Sequence, residues 1–409
     1  MDQTVDYLII GGGIAGITAA ETIREKDASG SIAVITNEPH MLYSRVLLPS
    51  YLKQRIKRGQ VFMRTIKDFD KKNIHVFAGE EAIQVRPERH DVVLQSGAVV
   101  RYRKLLISTG GKVFPLPFPG GAGVSNIFRL QTVDDADLFY QALPNIKQAV
   151  VLGGGFIALE FLETLSLRGI KTILVAPEEH FFSKFSGPAG SAILEKNFED
   201  HEFELHLGDT INSIASKDGA IAGVLTRNGK KILCDALCVG IGVERNIHFL
   251  TGSGITLGTY GVITDEFLET GAFDVYAAGD AAEFQDLALG EVHTVGNWNN
   301  AFLQGKAAGA NMAGGKKAFL NISSYSITNL GLHISVVGSS NASYQRVIRE
   351  TKKPLAYQEM YLGQGIIKGA FFINSAKSQS LISRWILEHR NMSQSLALLS
   401  NPEVPLDQI

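Results

Sequence analysis

The feature that most constrains the fold is a glycine fingerprint that occurs twice, 142 residues apart. The first copy, GGGIAG, begins at Gly11, and the second, GGGFIA, begins at Gly153. Each copy follows a short apolar run and precedes a stretch of good helix formers with helical periodicity. Strand, glycine turn and helix in this order predict a dinucleotide-binding unit. Two copies predict two bound nucleotides.

The glycines of the first copy have separate roles in binding a pyrophosphate. Gly11 permits the tight turn, Gly13 lets the backbone approach the phosphates, and Gly16 lets the helix pack on the strand. The helix N-terminus offers free N–H groups to the anion. The next strand, at 32–36, ends just before Glu38, roughly 20 residues after the last glycine, where an acid can bind a ribose hydroxyl. A nucleotide site is therefore favoured over a structural turn.

The second copy repeats this order but ends differently. Gly153 and Gly155 occupy the turn and phosphate positions, whereas the acid expected after the next strand is replaced by Ala176. The nearest carboxylates, Glu178 and Glu179, come two or three residues later. Because no Arg or Lys stands there to bind a 2′-phosphate, NADH is favoured over NADPH. The alternative is a decayed site that keeps only the fold.

Length and charge exclude several classes of protein. A chain of 409 residues, 45% of them hydrophobic, predicts two or three globular domains. A net charge of −2 without a basic stripe argues against nucleic-acid binding. No segment has the pattern of a signal peptide or of a transmembrane helix, so we expect a soluble cytoplasmic protein.

Two cysteines, Cys234 and Cys238, lie in a segment that reads as one buried strand. Residues four apart on a strand are about 13 Å from each other, beyond the reach of a disulfide. Two thiols also cannot complete a four-ligand metal site. The sequence thus predicts neither a redox disulfide nor a bound metal.

Three further segments fit a nucleotide-binding sheet. KLLISTGG, at 104–111, reads as a strand that returns toward the first nucleotide, and the segment at 270–282 reads as a strand that ends at Asp280. An acid at the carboxyl end of such a strand points at bound ligand, although it can also cap the next helix. The segment around Trp298 leads into a small-residue helix that ends at Met312. The N-terminus of this helix is the positive end of its dipole, which would stabilise negative charge on an electron-rich ring bound there.

Together these motifs resemble the pyridine nucleotide-disulfide oxidoreductase superfamily, in the branch that lacks an active disulfide. The ordered set GGGIAG, YSR, LLISTGG, GGGFIALE, TGAFDVYAAGD and NWNNAFLQGKAAGANMAG covers most of residues 1–315. YSRVLLPSYL is most similar to the flavin modules of NAD(P)H nitrite reductase large subunits and of NADH:rubredoxin reductases. It is less similar to the ferredoxin reductases of oxygenase systems.

The resemblance implies a role for particular residues of this chain. FAD would be bound by the first fingerprint, by the strand ends and by the start of the last helix of its domain, through Gly11, Gly13, Ala15, Gly16, Glu38, Arg45, Ala82, Thr109, Gly110, Gly279, Asp280 and Trp298. Within this set, Glu38 would bind the adenosine ribose, Arg45 would lie on the flavin-side loop, and Asp280 would bond the ribityl chain. NADH would be bound by Gly153, Gly155, Ala158 and Glu178. Phe156 would cover the flavin as an aromatic lid, and Glu160 would lie near the nicotinamide.

One departure from the family pattern concerns the flavin loop. Relatives often carry a lysine there that pairs with the helix glutamate beside flavin N5, but Ser50 stands at that place. We therefore expect no Lys–Glu pair, which leaves the role of Glu160 open.

The implied fold is α/β, with two Rossmann-like dinucleotide-binding domains and a small α+β interface domain. The FAD domain would span 1–118 and 246–318, interrupted by an NADH domain at 119–245, and the interface domain would span 319–409. In the last domain, four apolar residues are as consistent with its core as with a docking face: Phe371, Phe372, Trp385 and Ile386.

The implied function is hydride transfer between NADH and FAD and single-electron transfer between FAD and a rubredoxin, ferredoxin or iron–sulfur subunit, in either direction. A flavin-binding interaction or redox-sensing protein with a vestigial nicotinamide site is the alternative, supported by Ala176 and Ser50. An NADH oxidase or peroxidase is disfavoured because no cysteine lies in the flavin loop.

Overall fold

The computed structural model describes residues 3–409 and divides the chain into two compact units. The first unit consists of the chain up to Leu47 together with Ile56–Lys112 and Val243–Ser323. The second unit consists of Leu48–Arg55, Val113–Gly242 and Ser324–Ile409. The three domain ranges expected from the sequence stay predictions.

Helices and strands alternate along much of the chain. The helices are α1 (Ile14–Lys26), α2 (Leu48–Leu52), α3 (Ile66–Lys71), α4 (Val133–Ala142), α5 (Phe156–Ser166), α6 (Pro188–Asp200), α7 (Trp298–Met312), α8 (Gln379–Leu387) and α9 (Leu396–Ser400). The strands are β1 (Gln3–Ile10), β2 (Ile32–Thr36), β3 (Ile74–Ala78), β4 (Ala82–Arg86), β5 (Asp91–Leu94), β6 (Val99–Ile107), β7 (Gly111–Val113), β8 (Ile127–Phe128), β9 (Gln148–Leu152), β10 (Lys171–Ala176), β11 (Glu204–Leu207), β12 (Ile211–Lys217), β13 (Ala220–Thr226), β14 (Lys231–Leu233), β15 (Ala236–Val239), β16 (Val243–Arg245), β17 (Val262–Thr264), β18 (Val275–Ala277), β19 (Ala282–Asp286), β20 (Glu291–His293), β21 (Ser324–Asn329), β22 (Leu332–Gly338), β23 (Gln345–Lys352), β24 (Leu355–Gly363) and β25 (Ile366–Ile373). Short 3₁₀ turns lie at Arg45–Leu47, Arg58–Val61, Pro87–Arg89, Leu143–Asn145, His248–Leu250, Gly279–Ala281, Ala376–Ser378 and Leu406–Gln408.

The first unit is built on a sheet of order β3-β2-β1-β6-β5-β4, and β18 also pairs with β6, at Leu105–Ile107. Strands β3, β2, β1, β6 and β18 are parallel, and β5 and β4 continue the sheet antiparallel. Because β1 lies inside this sheet, residues Tyr7 to Ile10 are buried on both faces, which accounts for their unbroken apolar run.

Helices α1 and α7 pack closely within the first unit. A Cβ placed on Gly305 would collide with the carbonyl oxygen of Ala15, and one on Gly309 would lie 2.6 Å from that of Ala19. Glycine at these two positions therefore allows the two helix backbones to approach each other.

The second unit repeats the parallel pattern in a sheet of order β11-β10-β9-β15-β8. In both units the strand before the glycine turn lies between its successor strand and a later strand, β1 in one case and β9 in the other. The predicted α/β class with two dinucleotide-binding folds is confirmed by these sheets.

The second unit also contains an antiparallel sheet of order β21-β22-β25-β24-β23, with α8 packed on β22 and β25. Phe371, Phe372, Trp385 and Ile386 are fully buried there. The structure thus assigns these four residues to a core, because none of them is accessible to a partner.

The sequence predicts one strand for the segment that contains both cysteines, but the structure divides this segment. Strand β14 ends at Leu233, Asp235 accepts hydrogen bonds from the backbone of Lys147 and Gln148, and β15 begins at Ala236. Cys234 therefore lies between two strands and only Cys238 lies in one, and both thiols are buried and unbonded to each other. Among residues 3–409, no helix combines the length and the hydropathy that a membrane span requires.

Candidate cofactor sites and a buried Lys–Glu cluster

The first glycine turn is closed on the sheet side. Gly11 has a φ of +119°, and a Cβ at this position would collide with the carbonyl oxygen of Ser108 at the end of β6. A Cβ on Gly16 would likewise collide with the carbonyl oxygen of Gly11. Only glycine satisfies both positions, so the local fold agrees with the roles predicted for them.

The same turn is open on its other side. Gly13 precedes α1 in extended conformation, and a Cβ built on it would meet no atom of the protein within 4 Å. Since Gly13 has no side chain to cap the helix and the first turn contains no acid, the initial N–H groups of α1 face this space. The arrangement fits a dinucleotide pyrophosphate, which is an anion.

A cavity of about 200 Å³ lies beside the first glycine turn, at the carboxyl ends of β1, β2 and β6. Three predicted residues line it, namely Gly11, Ala82 and Thr109. Lining residues that the sequence did not single out are Ile10, Ile35, Thr36, Asn37, Glu80, Glu81, Lys112, Asn246, His248 and Phe249. Strand ends of a parallel sheet are where nucleotides bind in this class of fold, so this cavity fits the adenosine end of FAD.

Glu38 and Arg45 are bonded directly to each other. The Glu38 carboxylate accepts hydrogen bonds from Arg45 Nη2 and from the Tyr43 hydroxyl, both at 2.6 Å. The family resemblance assigns Glu38 to the ribose and Arg45 to the flavin-side loop without predicting this pair. In the structure each one orients the other, so a change at either will also affect its partner.

The turn after β6 is fixed by the loop that follows β16. Thr109 Oγ1 donates to the carbonyl oxygen of Asn246 at 2.6 Å, and the Asn246 N–H donates to the carbonyl oxygen of Gly110 at 3.0 Å. Thr109 and Gly110, both predicted to line FAD, are thereby held in one conformation, with Gly110 at a φ of +64°.

Asp280 lies in the 3₁₀ turn that follows β18. The N–H of Gly279 donates to Gln304 Oε1 at 2.7 Å, which ties this turn to α7. The Asp280 carboxylate lies 3.7 Å from Arg245 Nη1, and the residue that caps α7 is Asn297, not Asp280. Burial raises the pKa of Asp280, while Arg245 opposes that rise. Trp298 is the first residue of α7.

The second glycine turn has the same geometry as the first. Gly153 has a φ of +133°, and a Cβ there would collide with the carbonyl oxygen of Gly240. Gly155 precedes α5, and a Cβ on it would meet nothing within 4 Å. Ala158 is fully buried in the first turn of α5. This turn fits a second pyrophosphate for the same physical reasons.

Glu178 supplies an acid at the second turn in spite of its displaced position in the sequence. Its Oε2 atom would lie 2.7 Å from a Cβ on Gly154. This oxygen is buried, and no residue within 3–409 forms a hydrogen bond with it. A buried carboxylate oxygen without a partner is costly, and a ribose hydroxyl bound at this turn would satisfy it.

The expectation that this chain lacks a Lys–Glu pair is wrong. Lys53, one helical turn beyond Ser50, donates to Glu160 Oε2 and to Glu163 Oε2, and its side chain is only 3% exposed. The prediction failed because it compared the sequence position alone. Residues three apart on a helix lie on the same face. Lys53, directly after α2, therefore reaches the carboxylate that a lysine at position 50 was expected to reach.

Glu163 extends this pair into a larger cluster within the second unit. Its Oε1 accepts from Arg55 Nη2 at 3.0 Å, and its Oε2 accepts from Asn329 Nδ2 at 3.2 Å. Asn329 also donates to the carbonyl oxygen of Leu159 on α5. Two glutamates one turn apart on α5 thus share one buried ammonium, and Arg55, half exposed, balances the remaining charge.

Burial raises the pKa of Glu160, and the Lys53 ammonium counteracts that rise. Phe156 opens the same helix and packs edge-on against Tyr325, with ring centroids 4.2 Å apart. Burial, followed by the charge of Glu160, raises the pKa of Tyr325 to about 12. Tyr325 therefore stays a neutral phenol at physiological pH. The two residues predicted to act in catalysis, Phe156 and Glu160, lie on one helix.

Sequence reasoning missed Lys53, Glu163, Arg245 and Asn329. The spacing of Glu160 and Glu163 on one helix was a usable signal for a shared cation. Arg245 carried no signal, because its contacts are made with residues 35 and 49 positions away.

A family model described as pyridine nucleotide-disulphide oxidoreductase matches residues 5–305 of the chain. The 5,5'-dehydrodivanillate O-demethylase ferredoxin reductase subunit of Sphingobium sp. is 29% identical over 91% of this chain and 90% of its own length. The NADH-dependent phenylglyoxylate dehydrogenase subunit epsilon of Aromatoleum evansii is 28% identical over 96% of this chain and 94% of its own. The solved ferredoxin reductase for the CYP199A2 system of Rhodopseudomonas palustris superposes with a TM-score of 0.86, at 25% identity, over 97% of this chain and all of that one.

Proposed function

Because the chain belongs to the pyridine nucleotide-disulphide oxidoreductase family, we propose that it passes electrons between NADH and an iron–sulfur protein by way of FAD. Family membership and the similar reductases confirm the predicted class of enzyme and imply the predicted cofactors, FAD and NADH. The observation that carries the proposal is the pair of glycine turns. Each is closed toward its sheet, open toward solvent, and followed at once by a helix N-terminus.

The electron acceptor must be another molecule. Electrons can be accepted by a disulfide but not by a thiol, and Cys234 and Cys238 are both free thiols. FAD, when bound, accepts a hydride and releases its two electrons singly. Oxidation of one NADH therefore reduces two one-electron acceptors and releases one proton to solvent. A rubredoxin, a ferredoxin or an iron–sulfur subunit is such an acceptor, and the reverse direction uses the same residues.

For the FAD site, the proposed residues are those predicted from the sequence. Gly11, Gly13, Ala15 and Gly16 bind the pyrophosphate, Ala82 and Thr109 line the adenosine cavity, and Glu38 with Arg45, Gly110, Gly279, Asp280 and Trp298 complete the site. The chain's own contribution is to fix these groups before the cofactor binds, which reduces the entropy cost of binding.

For the nicotinamide nucleotide, Gly153, Gly155 and Ala158 bind the pyrophosphate and Glu178 binds the adenosine ribose. The carboxylate of Glu178 beside Gly154 would repel a 2′-phosphate, which supports NADH over NADPH. Phe156 and Glu160 are proposed to act on the nicotinamide, with Glu160 held in place by Lys53.

A redox-sensing protein with a vestigial nicotinamide site is less well supported. Its two arguments were the missing acid at Ala176 and the missing lysine at Ser50. Glu178 supplies an acid at the second turn, and Lys53 supplies an ammonium to Glu160. Both arguments therefore lose their basis.

The proposal is tested by anaerobic mixing of the FAD-loaded protein with one equivalent of NADH. We expect rapid loss of the visible absorbance of the flavin, and slower loss with NADPH. Subsequent addition of an oxidised rubredoxin or ferredoxin should restore the absorbance with reduction of two acceptors per flavin. A flavin spectrum unchanged by NADH would overturn the proposed function and favour the redox-sensing alternative.

We further propose a cytoplasmic location, in line with the absence of a membrane-spanning helix among residues 3–409. Cell fractionation with an antibody to the chain tests it, and recovery in the membrane pellet would argue against it.

A further inference from the structure

Arg245 is placed where it can act on the predicted FAD site, although no motif marks it. It ends β16, and the next residue, Asn246, is bonded through its N–H to Gly110 and through its carbonyl oxygen to Thr109. Both of these partners follow β6, and Thr109 lines the adenosine cavity. The backbone from which the Arg245 side chain projects is therefore fixed to the nucleotide-binding sheet.

The guanidinium of Arg245 is held at two points. Nη2 donates to Thr294 Oγ1 at 2.9 Å, and Nη1 lies 3.7 Å from Asp280 Oδ2. The side chains of Arg245 and Asp280 are 19% and 28% exposed, so the pair is partly shielded from water. A Cβ on Gly296 would lie 3.4 Å from Asp280 Oδ2 and 3.6 Å from Arg245 Nη1. The glycine therefore leaves one side of the pair uncovered.

We propose that Arg245 is a positioning residue for FAD, which holds the Asp280 carboxylate in place for the ribityl hydroxyls. This inference rests on the proposed function, in which Asp280 bonds the ribityl chain. A carboxylate accepts hydrogen bonds from neighbouring hydroxyls through both oxygens, whereas a protonated carboxyl has less capacity to accept them. The residue that keeps Asp280 oriented and ionised therefore determines how well the ribityl chain is bound.

The charges around Asp280 support this assignment. Burial raises the pKa of Asp280, and two cations oppose it, Arg245 more strongly than Arg45. Arg45 is itself bonded to Glu38 at 2.6 Å, so its charge is shared with another carboxylate. Arg245, with a hydroxyl as its other hydrogen-bond partner, acts mainly on Asp280. These are the charged groups that face Asp280 from the surrounding elements.

The test is the affinity of the apoprotein for FAD, measured from pH 6 to pH 9 by quenching of flavin fluorescence. We expect the unaltered protein to bind FAD with little dependence on pH over this range. Arg245→Met should weaken binding about tenfold at neutral pH, and the loss should increase as the pH falls, because Asp280 then takes up a proton at a higher pH. Arg245→Lys should restore most of the affinity and the flat pH profile.

Further variants separate positioning from a general loss of structure. Thr294→Val removes the second anchor of the guanidinium and should reproduce a smaller form of the Arg245→Met effect, even if the latter folds poorly. In an Asp280→Asn background, Arg245→Met should cause no added pH dependence. Arg103→Met, at a 65% exposed arginine of the same unit, should bind FAD normally.

Two results would overturn the inference. One is unaltered FAD affinity in Arg245→Met, and the other is a loss of the same size at every pH. Either result leaves the proposed function intact provided that the unaltered protein binds FAD and is bleached by NADH. If the unaltered protein binds no FAD, the proposed function itself fails.

Discussion

Replacement of Lys53 by methionine probes the buried cluster of the second unit most directly. The substitution keeps the apolar stem but removes the ammonium shared by Glu160 and Glu163, whose side chains are 11% and 7% exposed. Removing one partner of a buried ion pair costs about 3–5 kcal/mol, because the other charge is left without compensation. Glu163 keeps its bonds with Arg55 and Asn329, so Glu160 is the carboxylate that loses its charged hydrogen-bond partner.

Protonation limits the cost and gives it a pH dependence. Burial already raises the pKa of Glu160 with Lys53 present, and loss of the ammonium would raise it further. The folded chain then binds a proton more tightly than the unfolded chain, so its stability falls as the pH rises above the ordinary range of a carboxyl. We expect a loss of about 3–4 kcal/mol at pH 8, decreasing by up to about 1.4 kcal/mol for each pH unit below it.

The assay is thermal unfolding of the protein at pH 6, 7 and 8. A loss of about 3 kcal/mol corresponds to about 6–12 °C in the melting temperature of a unit of this size. Lys53→Met combined with Glu160→Gln should recover part of the loss, because the carboxylate that lost its ammonium partner is then neutral. Lys196→Met, at a 66% exposed lysine of the same unit, is the matched control and should melt like the unaltered protein. If Lys53→Met melts like this control, or loses the same stability at every pH, the reasoning is refuted.

Other predictions follow from the same structure. Glu178→Ala should raise the KM for NADH about tenfold, with kcat little changed, and should reduce the preference for NADH over NADPH. Steady-state kinetics with both nucleotides measures these constants, and unchanged values of KM would exclude Glu178 from the site. Gly309→Ala should lower the stability of the first unit by about 1–3 kcal/mol, because a Cβ there would lie 2.6 Å from the carbonyl oxygen of Ala19. Thermal unfolding measures the loss, and Gly59→Ala, whose Cβ would meet nothing within 4 Å, is the matched control; equal melting of the two variants would contradict the prediction. Cys234 should react with a thiol reagent only after denaturation, because burial raises its pKa to about 12; reaction of the native protein at pH 8 would contradict this assignment.

Local geometry explains why the cofactor turns could be predicted from the sequence. The positions of Gly11 and Gly153 require a positive φ and close contact with a neighbouring strand, and both demands can be met only by glycine. The positive φ belongs to the turn itself, and although the close contacts are made with the distant Ser108 and Gly240, the glycine that both demands require stands in the sequence at the turn. The pattern of strand, turn and helix is therefore visible without a structure, and with it the class of fold and the two nucleotides.

Interactions between distant segments explain what the sequence alone misjudged. The sequence has Ser50 where a lysine was expected and Ala176 where an acid was expected. In the folded chain, Lys53 and Glu178 supply these two groups. A helical turn or a short loop allows a residue one to three positions away in the chain to place its side chain at the same point in space, at little energetic cost. The position of a residue in the sequence therefore does not fix its position in the site.

The sequence by itself determined that this protein has two dinucleotide-binding folds, because glycine at a strained turn has no substitute. Only the tertiary structure decided which charges meet. Lys53 reaches Glu160 across 107 positions of the chain, and Arg245 reaches Asp280 across 35. An ion pair depends on the distance between its atoms in space, and that distance is set by the packing of helices and strands that are remote in the sequence.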